Sequence, residues 1–345
     1  MDNITHSLVG VLAGRVLPDD SAASAEPAGS GSRAHRPKTG RAVFWALLLS
    51  SNIPDIDVVA NFFVEPLTAL QYHRSFTHSL PGIPLLALVP AFVVHLATAR
   101  AGFRRLWICS MAGILFHIFI DLITPYGTQI LFPFSETRFS LDWMFIIDPW
   151  FTGILTLLLA AGKIFPRRRA VLGYLSVAFA LLYLGAEYRF QSVALGIFRD
   201  ELRKSGRETL TVSVLPQPLS ILKWVGLATT DSGVVRQYIE LLSDGGVSEP
   251  EYFPNDTDRF ASKASRTEFA GEYLRFARFP TLETRTVGDF HTVEFRDLQF
   301  SVDPRIAKAV GLGERDIPFV LRLEFDRSEM PARVTFNDRP VPLRR

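Results

Sequence analysis

Long apolar runs broken by short polar stretches fill the first half of the chain, and short alternating runs replace them from about residue 190. Residues 79–99 and 106–124 each approach the ~20 apolar positions that a bilayer-spanning helix needs. Residues 170–188 are comparable, and 146–165 qualifies if Asp148 and Pro149 mark its mouth. Two shorter runs, 7–17 and 42–53, reach only about half a span and are expected to pack on the other helices. Gly10 and Gly14, four residues apart, offer a small-residue face for that approach. The Ser-, Ala-, Gly- and Pro-rich stretch 18–41 cannot build a core and is expected to be a disordered loop.

Beyond residue 190, "TLTVSV", "HTVEFRDLQFSV", "FVLRLEF" and "ARVTF" alternate apolar and polar positions with turn residues between them, as strands do. "GVVRQYIELLSD" reads as a helix, and 190–205 as a helical connection. The predicted architecture is an all-α multi-pass membrane domain at 1–189, with about four full and two short apolar helices. A strand-dominated α+β soluble domain at 190–345 follows.

The mean hydropathy of +0.18 averages these two unlike halves. A net charge of +2 gives little support to nucleic acid as a partner. Lys and Arg gather at 33–41, 100–105 and 167–169, and placing all three clusters in the cytoplasm gives a consistent helix order. The polar pairs Asp55/Asp57, His73/His78, His117/Asp121 and Asp142/Asp148 then fall at the outer face, as does the C-terminal domain. Cys109 is the only cysteine, so any metal must be held by His and carboxylate. "MDNITHSLVG" lacks the basic start of a secretory signal, and the first helix is read as part of the mature protein.

Ionisable groups inside membrane segments are costly unless paired, and so mark functional positions. In "HIFID" the i, i+4 spacing sets His117 and Asp121 on one helix face, able to share a metal ion or simply a buried hydrogen bond. Pro54 stops the apolar run before Asp55 and Asp57, two carboxylates with no Lys or Arg close by. "YHRSFTHSLPG" adds the imidazoles of His73 and His78 together with Arg74, whose fork of donors suits phosphate as well as lipid headgroups. Thr77 and Ser79 read as helix caps. His6 stands four residues after Asp2 and repeats the helical pairing. His35 and His95 fall elsewhere, and His291 sits in an expected strand with a structural or surface role.

"MDNITHSLVG", "NIPDID", "HRSFTHS" and "HIFIDLITPYGTQILFPFS", followed by "DW" and "IDPW", resemble the YdjM-type family of inner-membrane proteins, to which metal-dependent hydrolysis has been ascribed. The resemblance covers about residues 1–188 and implies functional positions at Asp2, His6, Asp55, Asp57, His73, Arg74, His78, His117 and Asp121. That family is similar in turn to the zinc-dependent phospholipase C and P1 nuclease group, whose H-x3-D pair His117 and Asp121 match. No second such pair follows, which favours one or two metals over three.

The resulting expectation is a bacterial inner-membrane, metal-dependent hydrolase that cleaves a phosphoester or related bond in a lipid-like or envelope-associated substrate. The divalent metal, zinc with manganese as the alternative, would be held by His73, His78, His117 and Asp121. His6 and Asp55 would lie on the same or a second ion. Asp57 or Asp142 would be the general base, and Arg74 would stabilise charge. Membrane lipids are the expected surroundings and no nucleic acid is expected. Ion or metal transport, and a structural role in which metal staples short helices, are the rival readings.

Overall fold

The computed structural model describes all residues except 17–38, 61–62, 99–101, 244, 289, 312–317 and 344–345. It divides into two compact units. The first comprises Met1–Val59, Arg74–Leu141 and Ile146–Gly185, and the second Ala60–His73, Asp142–Phe145 and Ala186–Arg345.

The first unit is helical. α1 (Asn3–Val16) and α2 (Thr39–Ser50) lead into a tight 3-10 turn at Ile53–Ile56 and the short α3 (Asp57–Ala60). After α4 (Pro66–Tyr72), a second 3-10 turn at Phe76–His78 precedes α5 (Ile83–Leu86), α6 (Leu88–Thr98) and α7 (Phe103–Leu122). α8 (Pro149–Ile164) and α9 (Arg169–Ser205) complete the helical run. α2 packs between α1 and α7 because both neighbours present glycine to its C-terminal end. A Cβ at Gly10 would collide with Ser51 Oγ, and one at Gly113 with Ser50 Oγ. These small residues allow the close backbone approach expected of Gly10, and they press α1 and α7 against the point where the chain turns toward Asp55. Ala42, Ala46, Ala91, Val94 and Leu106 fill one core beside α2, while Ile83, Ala87, Ile114 and Ile118 fill another against α7.

Large apolar side chains also cover the outside of this unit. Leu85, Val89, Phe92, Val93 and Leu96 are exposed on α5 and α6, as are Leu157 on α8 and Leu181 and Leu182 on α9. An exposed apolar surface of this breadth suits lipid rather than water. Two helices, Phe103–Leu122 and Pro166–Ser205, are long and apolar enough to cross a membrane, and up to four spans result if each of two bent pairs counts as one. Those pairs are Gly40–Ser50 with Ile53–Val59, bent by 47°, and Pro66–His78 with Ile83–Thr98, bent by 81°. The expected continuous spans at 79–99 and 146–165 are therefore corrected. Pro81, Pro84 and Pro90 crowd the former, and α5 and α6 start only after the turn. The latter shortens to the 16 residues of α8, whose N-terminus Asp148 caps by accepting from Trp150 N and Phe151 N. The loop expected at 18–41 lies largely outside the described residues, and its last three positions already belong to α2.

The second unit holds two antiparallel meanders. β1 (Thr211–Gln217), β2 (Ser220–Thr230), β3 (Gly233–Glu240) and β4 (Glu251–Pro254) form one sheet in sequence order. β5 (Pro280–Val287), β6 (Phe290–Asp297), β7 (Leu321–Phe325), β8 (Pro331–Phe336) and β9 (Arg339–Val341) form the other. α10 (Arg259–Ser265) and α11 (Glu268–Phe276) stand between the sheets in sequence, and α12 (Pro304–Ala309) follows β6.

The first sheet is buried on both faces. Val214, Trp224, Ala228, Val235 and Ile239 pack with Ala194, Phe198 and Leu202 of α9, whereas Leu215, Val225, Leu227, Val234 and Tyr238 pack with Phe279 and Leu298. Gly226 lets the Phe198 ring lie on β2, since a Cβ there would meet ring atoms at 2.6 Å. Two-sided burial explains why "GVVRQYIELLSD" misleads. Its Gly233–Glu240 portion is the strand β3, and a strand covered on both faces lacks the alternation that marks one in sequence. The expected helical connection at 190–205 is the continuation of α9, a single 37-residue helix whose Gly185/Ala186 junction separates the two units.

Candidate metal centre

α7 places His117 and Asp121 one turn apart on its buried face, as their i, i+4 spacing requires. Asp55 arrives from the 3-10 turn that Pro54 starts after α2, and His78 ends the turn at Phe76–His78. Among the described residues, Asp55, His78, His117 and Asp121 form a group whose ligand atoms all lie within 4.8 Å of one another, a cluster able to hold a metal ion.

The hydrogen bonds around the two imidazoles orient them. His117 Nδ1 lies 2.9 Å from the Ser51 carbonyl oxygen, which can only accept, so this nitrogen carries the proton and Nε2 keeps its lone pair. His78 Nδ1 lies 2.9 Å from Thr77 Oγ1, which in turn donates to Asp57 Oδ2 at 3.1 Å; Asp57 Oδ2 is itself 3.5 Å from His78 Nδ1. With its proton on that side, His78 also presents a bare Nε2 inward. The two Nε2 atoms face each other at 3.1 Å. Asp121 Oδ2 lies 3.2 Å from His78 Nε2 and 3.3 Å from His117 Nε2, and Asp55 Oδ1 lies 3.5 and 3.6 Å from the same two atoms.

Four lone-pair donors so close together repel unless a cation stands among them. Metal–ligand bonds of zinc length in a tetrahedron give edges of ~3.3 Å, and these five separations scatter about that value. Asp55 Oδ2 and Asp121 Oδ2 make no hydrogen bond although both are buried. The donor set and the orphaned oxygens fit a divalent metal.

A second layer holds the cluster in place. Arg74 Nη2 pairs with Asp121 Oδ1 at 2.8 Å, and its Nη1 donates to Thr124 Oγ1 at 3.2 Å. Arg74 adopts the left-handed φ of 58°, a conformation that a non-glycine residue holds only under tertiary constraint, and its backbone N donates to Asp57 Oδ2 at 3.0 Å. The Met1 amino group also donates to Asp121 Oδ1, at 2.5 Å. His6 is fully buried, with its ring stacked 3.7 Å from that of His117 and its Nε2 3.4 Å from Asp121 Oδ1. Neither nitrogen of His6 makes a hydrogen bond.

Several expected site residues take other parts. Asp57 orients His78 and the Arg74 backbone instead of standing free as a base, because its Oδ2 already accepts from both Arg74 N and Thr77. Arg74 is committed to Asp121 and Thr124. His73 caps the end of α4, belongs to the second unit and is not one of the four converging residues. Asp142 is likewise part of the second unit, where Arg278 grips both its oxygens at 2.8 and 2.9 Å, so an acceptor expected to be available as a base is occupied. Asp2 caps α1, accepting from Ile4 N, Thr5 N and Thr5 Oγ1. His291 stacks on Phe260 at 3.9 Å and pairs with Thr286. Sequence reading missed the Ser51 carbonyl, which no side-chain pattern can announce. It also took Thr77 for a cap, although the position of Thr77 directly before His78 was a signal available to it.

The YdjM inner membrane protein family profile matches residues 1–193, more than half of the chain. The Bacillus subtilis (strain 168) protein named "Uncharacterized protein YfhP" is 31% identical over 150 residues, 44% of this chain and 42% of that protein. "Inner membrane protein YbcI" of Escherichia coli (strain K12) is 32% identical over 108 residues, 31% of this chain and 61% of that protein. The chain thus spans less than two thirds of either relative. No solved structure matches it. With its apolar helices and the Asp/His/His/Asp cluster inside the matched region, the chain belongs to the YdjM inner membrane protein family.

Proposed function

We propose that this inner-membrane protein is a metal-dependent hydrolase acting on a phosphoester or related bond of a lipid-like or envelope-associated substrate. The observation that carries the reading is the set of four inward lone pairs at near-tetrahedral spacing, with both imidazole tautomers set from behind. Two imidazoles and two carboxylates favour zinc, with manganese as the alternative. The metal would supply Lewis acidity and bring the pKa of a bound water toward ~7.

The protein's own groups have separable tasks in this reading. Ser51 O and the Thr77/Asp57 pair keep the Nε2 atoms aimed inward, and Arg74 holds Asp121 in place. Asp55 is the one member of the four with a partly exposed side chain, at 11%. Substrate and water would therefore enter past Asp55, and its unpaired Oδ2 is the carboxylate atom best placed to accept a proton. The site and the C-terminal domain would face outward, following the distribution of Lys and Arg.

A metal-stapled structural protein is the second reading. Four protein ligands with three buried side chains resemble a closed structural site more than one keeping an open position. The test is metal analysis of the detergent-purified protein together with hydrolysis of chromogenic phosphomonoesters and phosphodiesters, wild type beside Asp55→Asn. Metal-dependent turnover that falls in the variant supports the hydrolase. Stoichiometric metal without turnover on any such ester supports the staple.

A further inference from the structure

The chain leaves α7 through a loop whose backbone closes on itself and whose outer side chains are apolar. Thr128 N donates to Phe139 O and Phe139 N to Thr128 O, both at 2.9 Å, an antiparallel bridge that closes residues 128–139. Gln129 N donates to Arg74 O at 2.9 Å and Leu80 N to Ile130 O at 2.8 Å, so the loop lies along the segment that carries His78. Ile130 N, Phe132 N, Phe134 N and Ser135 N all find carbonyl partners inside the loop, and Pro133 has no N–H to satisfy. Donors paired in this way do not need water.

Phe134 is 85% exposed, and Leu131 on the loop and Phe76 and Leu80 on the neighbouring segment are exposed as well. The stretch "QILFPFS", residues 129–135, holds no charge, and the first charged residue after it, Glu136, is exposed. From Leu80 the exposed apolar positions continue along the chain into the lipid-suited side chains of α5 and α6, from Leu85 to Leu96. The depth of the loop follows from α7. Its 20 residues rise about 30 Å, one hydrocarbon thickness, and Arg104 and Arg105 in its first turn belong at one headgroup layer. The opposite end, which carries Asp121, then falls at the other boundary. Leu141 N donates to Leu122 O at 2.7 Å and holds the far side of the loop at that end.

We infer that the loop 129–135 is seated in the lipid of the bilayer at this boundary, with Leu131 and Phe134 among the headgroup-proximal parts of the acyl chains. Irregular backbone is not tolerated deep in hydrocarbon, so the seat is shallow, within about 5–10 Å of the headgroup level. The internal hydrogen bonds lower the cost of leaving water, and the two large apolar side chains supply the gain. Asp121 stands in the last turn of α7 before this loop, which puts the metal centre near headgroup depth whatever reaction it performs.

The experiment places an environment-sensitive fluorophore on single cysteines of the full-length protein in lipid nanodiscs. Cys109, the only cysteine, is first replaced by serine, and Phe134→Cys, Leu131→Cys and Glu136→Cys are then labelled in turn. All three side chains are exposed, so a label at any of them leaves the core packing in place. Lipids brominated near the headgroup end of the acyl chain should lower emission from positions 134 and 131 by about twofold or more, with little quenching by aqueous iodide. Position 136 should respond in the opposite sense. Bromolipid quenching at either 134 or 131 supports the lipid seat. Iodide quenching at both as strong as at 136, without bromolipid quenching, puts the loop in water and overturns it. Shielding of both positions from both quenchers overturns it as well and points to a protein cover, such as a second copy of this chain.

Discussion

Two fully buried carboxylates, Asp121 in the helical unit and Asp297 in the C-terminal sheets, show how differently one side chain can be used. Asp297 accepts from the backbone N–H groups of Phe279 and Gln299 on one oxygen and of Arg278 on the other. These bonds close the end of β6 against the start of β5, and nothing about them asks for a ligand. Asp121 instead gathers Arg74 on one oxygen and turns the other toward two imidazole lone pairs. A buried carboxylate satisfied by backbone donors is architecture, whereas one facing imidazole lone pairs is placed to share a cation with them.

The largest expected effect tests the Asp121 side of that contrast. His117→Ala and Asp121→Asn should each lower bound metal, read by mass spectrometry on purified protein, from near one per chain to background. Retention of metal in both variants would remove the centre from this cluster. Asp57→Asn, which weakens the support behind His78 without touching the four ligands, should lower metal affinity by about 10- to 100-fold in a chelator competition. An unchanged affinity would mean that Thr77 alone orients the ring.

On the other side, Asp297→Ala strands three N–H groups, those of Phe279 and Gln299 buried and that of Arg278 partly so, and should cost about 3 kcal/mol of local stability, seen as faster amide exchange at Phe279 and Gln299 with metal content intact. Burial pushes the Asp297 carboxyl up to about 6, so the folded state holds its proton more tightly than the unfolded one. Its contribution is therefore complete at low pH and is lost as pH rises through about 6, by up to about 3 kcal/mol. Exchange protection should fall over that range in wild type and stay flat in Asp297→Asn. The smallest effect belongs to residues that the cluster leaves out: His73→Ala and Asp142→Asn should keep metal content at the wild-type level. A clear drop in either would enlarge the centre beyond the four residues.

Much of the helical unit could be read in advance, because apolar length is a local property of the chain. The α7 span and the apolar stretch of α9 stand close to where their hydrophobic runs put them. Pro54 foretold the turn that presents Asp55, whereas the prolines within 79–99 were outweighed by its apolar length although they break it. The sequence of β3 reads as a helix because its partners cover both faces, a fact that lies in other segments.

The same division runs through the site. The four-residue spacing of His117 and Asp121 settles their shared face in any α-helix, and the resemblance already gathered His6, Asp55 and His78 around them. Tertiary structure separated His78 from His73, turned Asp57 into the support of His78 and gave Asp142 to Arg278. It did so because an ion-sized centre admits only atoms that converge within a few ångströms, and whether residues distant in sequence converge depends on glycine contacts and turns along the whole chain. Sequence by itself thus determined which metal-capable side chains the helical unit carries, and the packing of α1, α2 and α7 decided which of them converge.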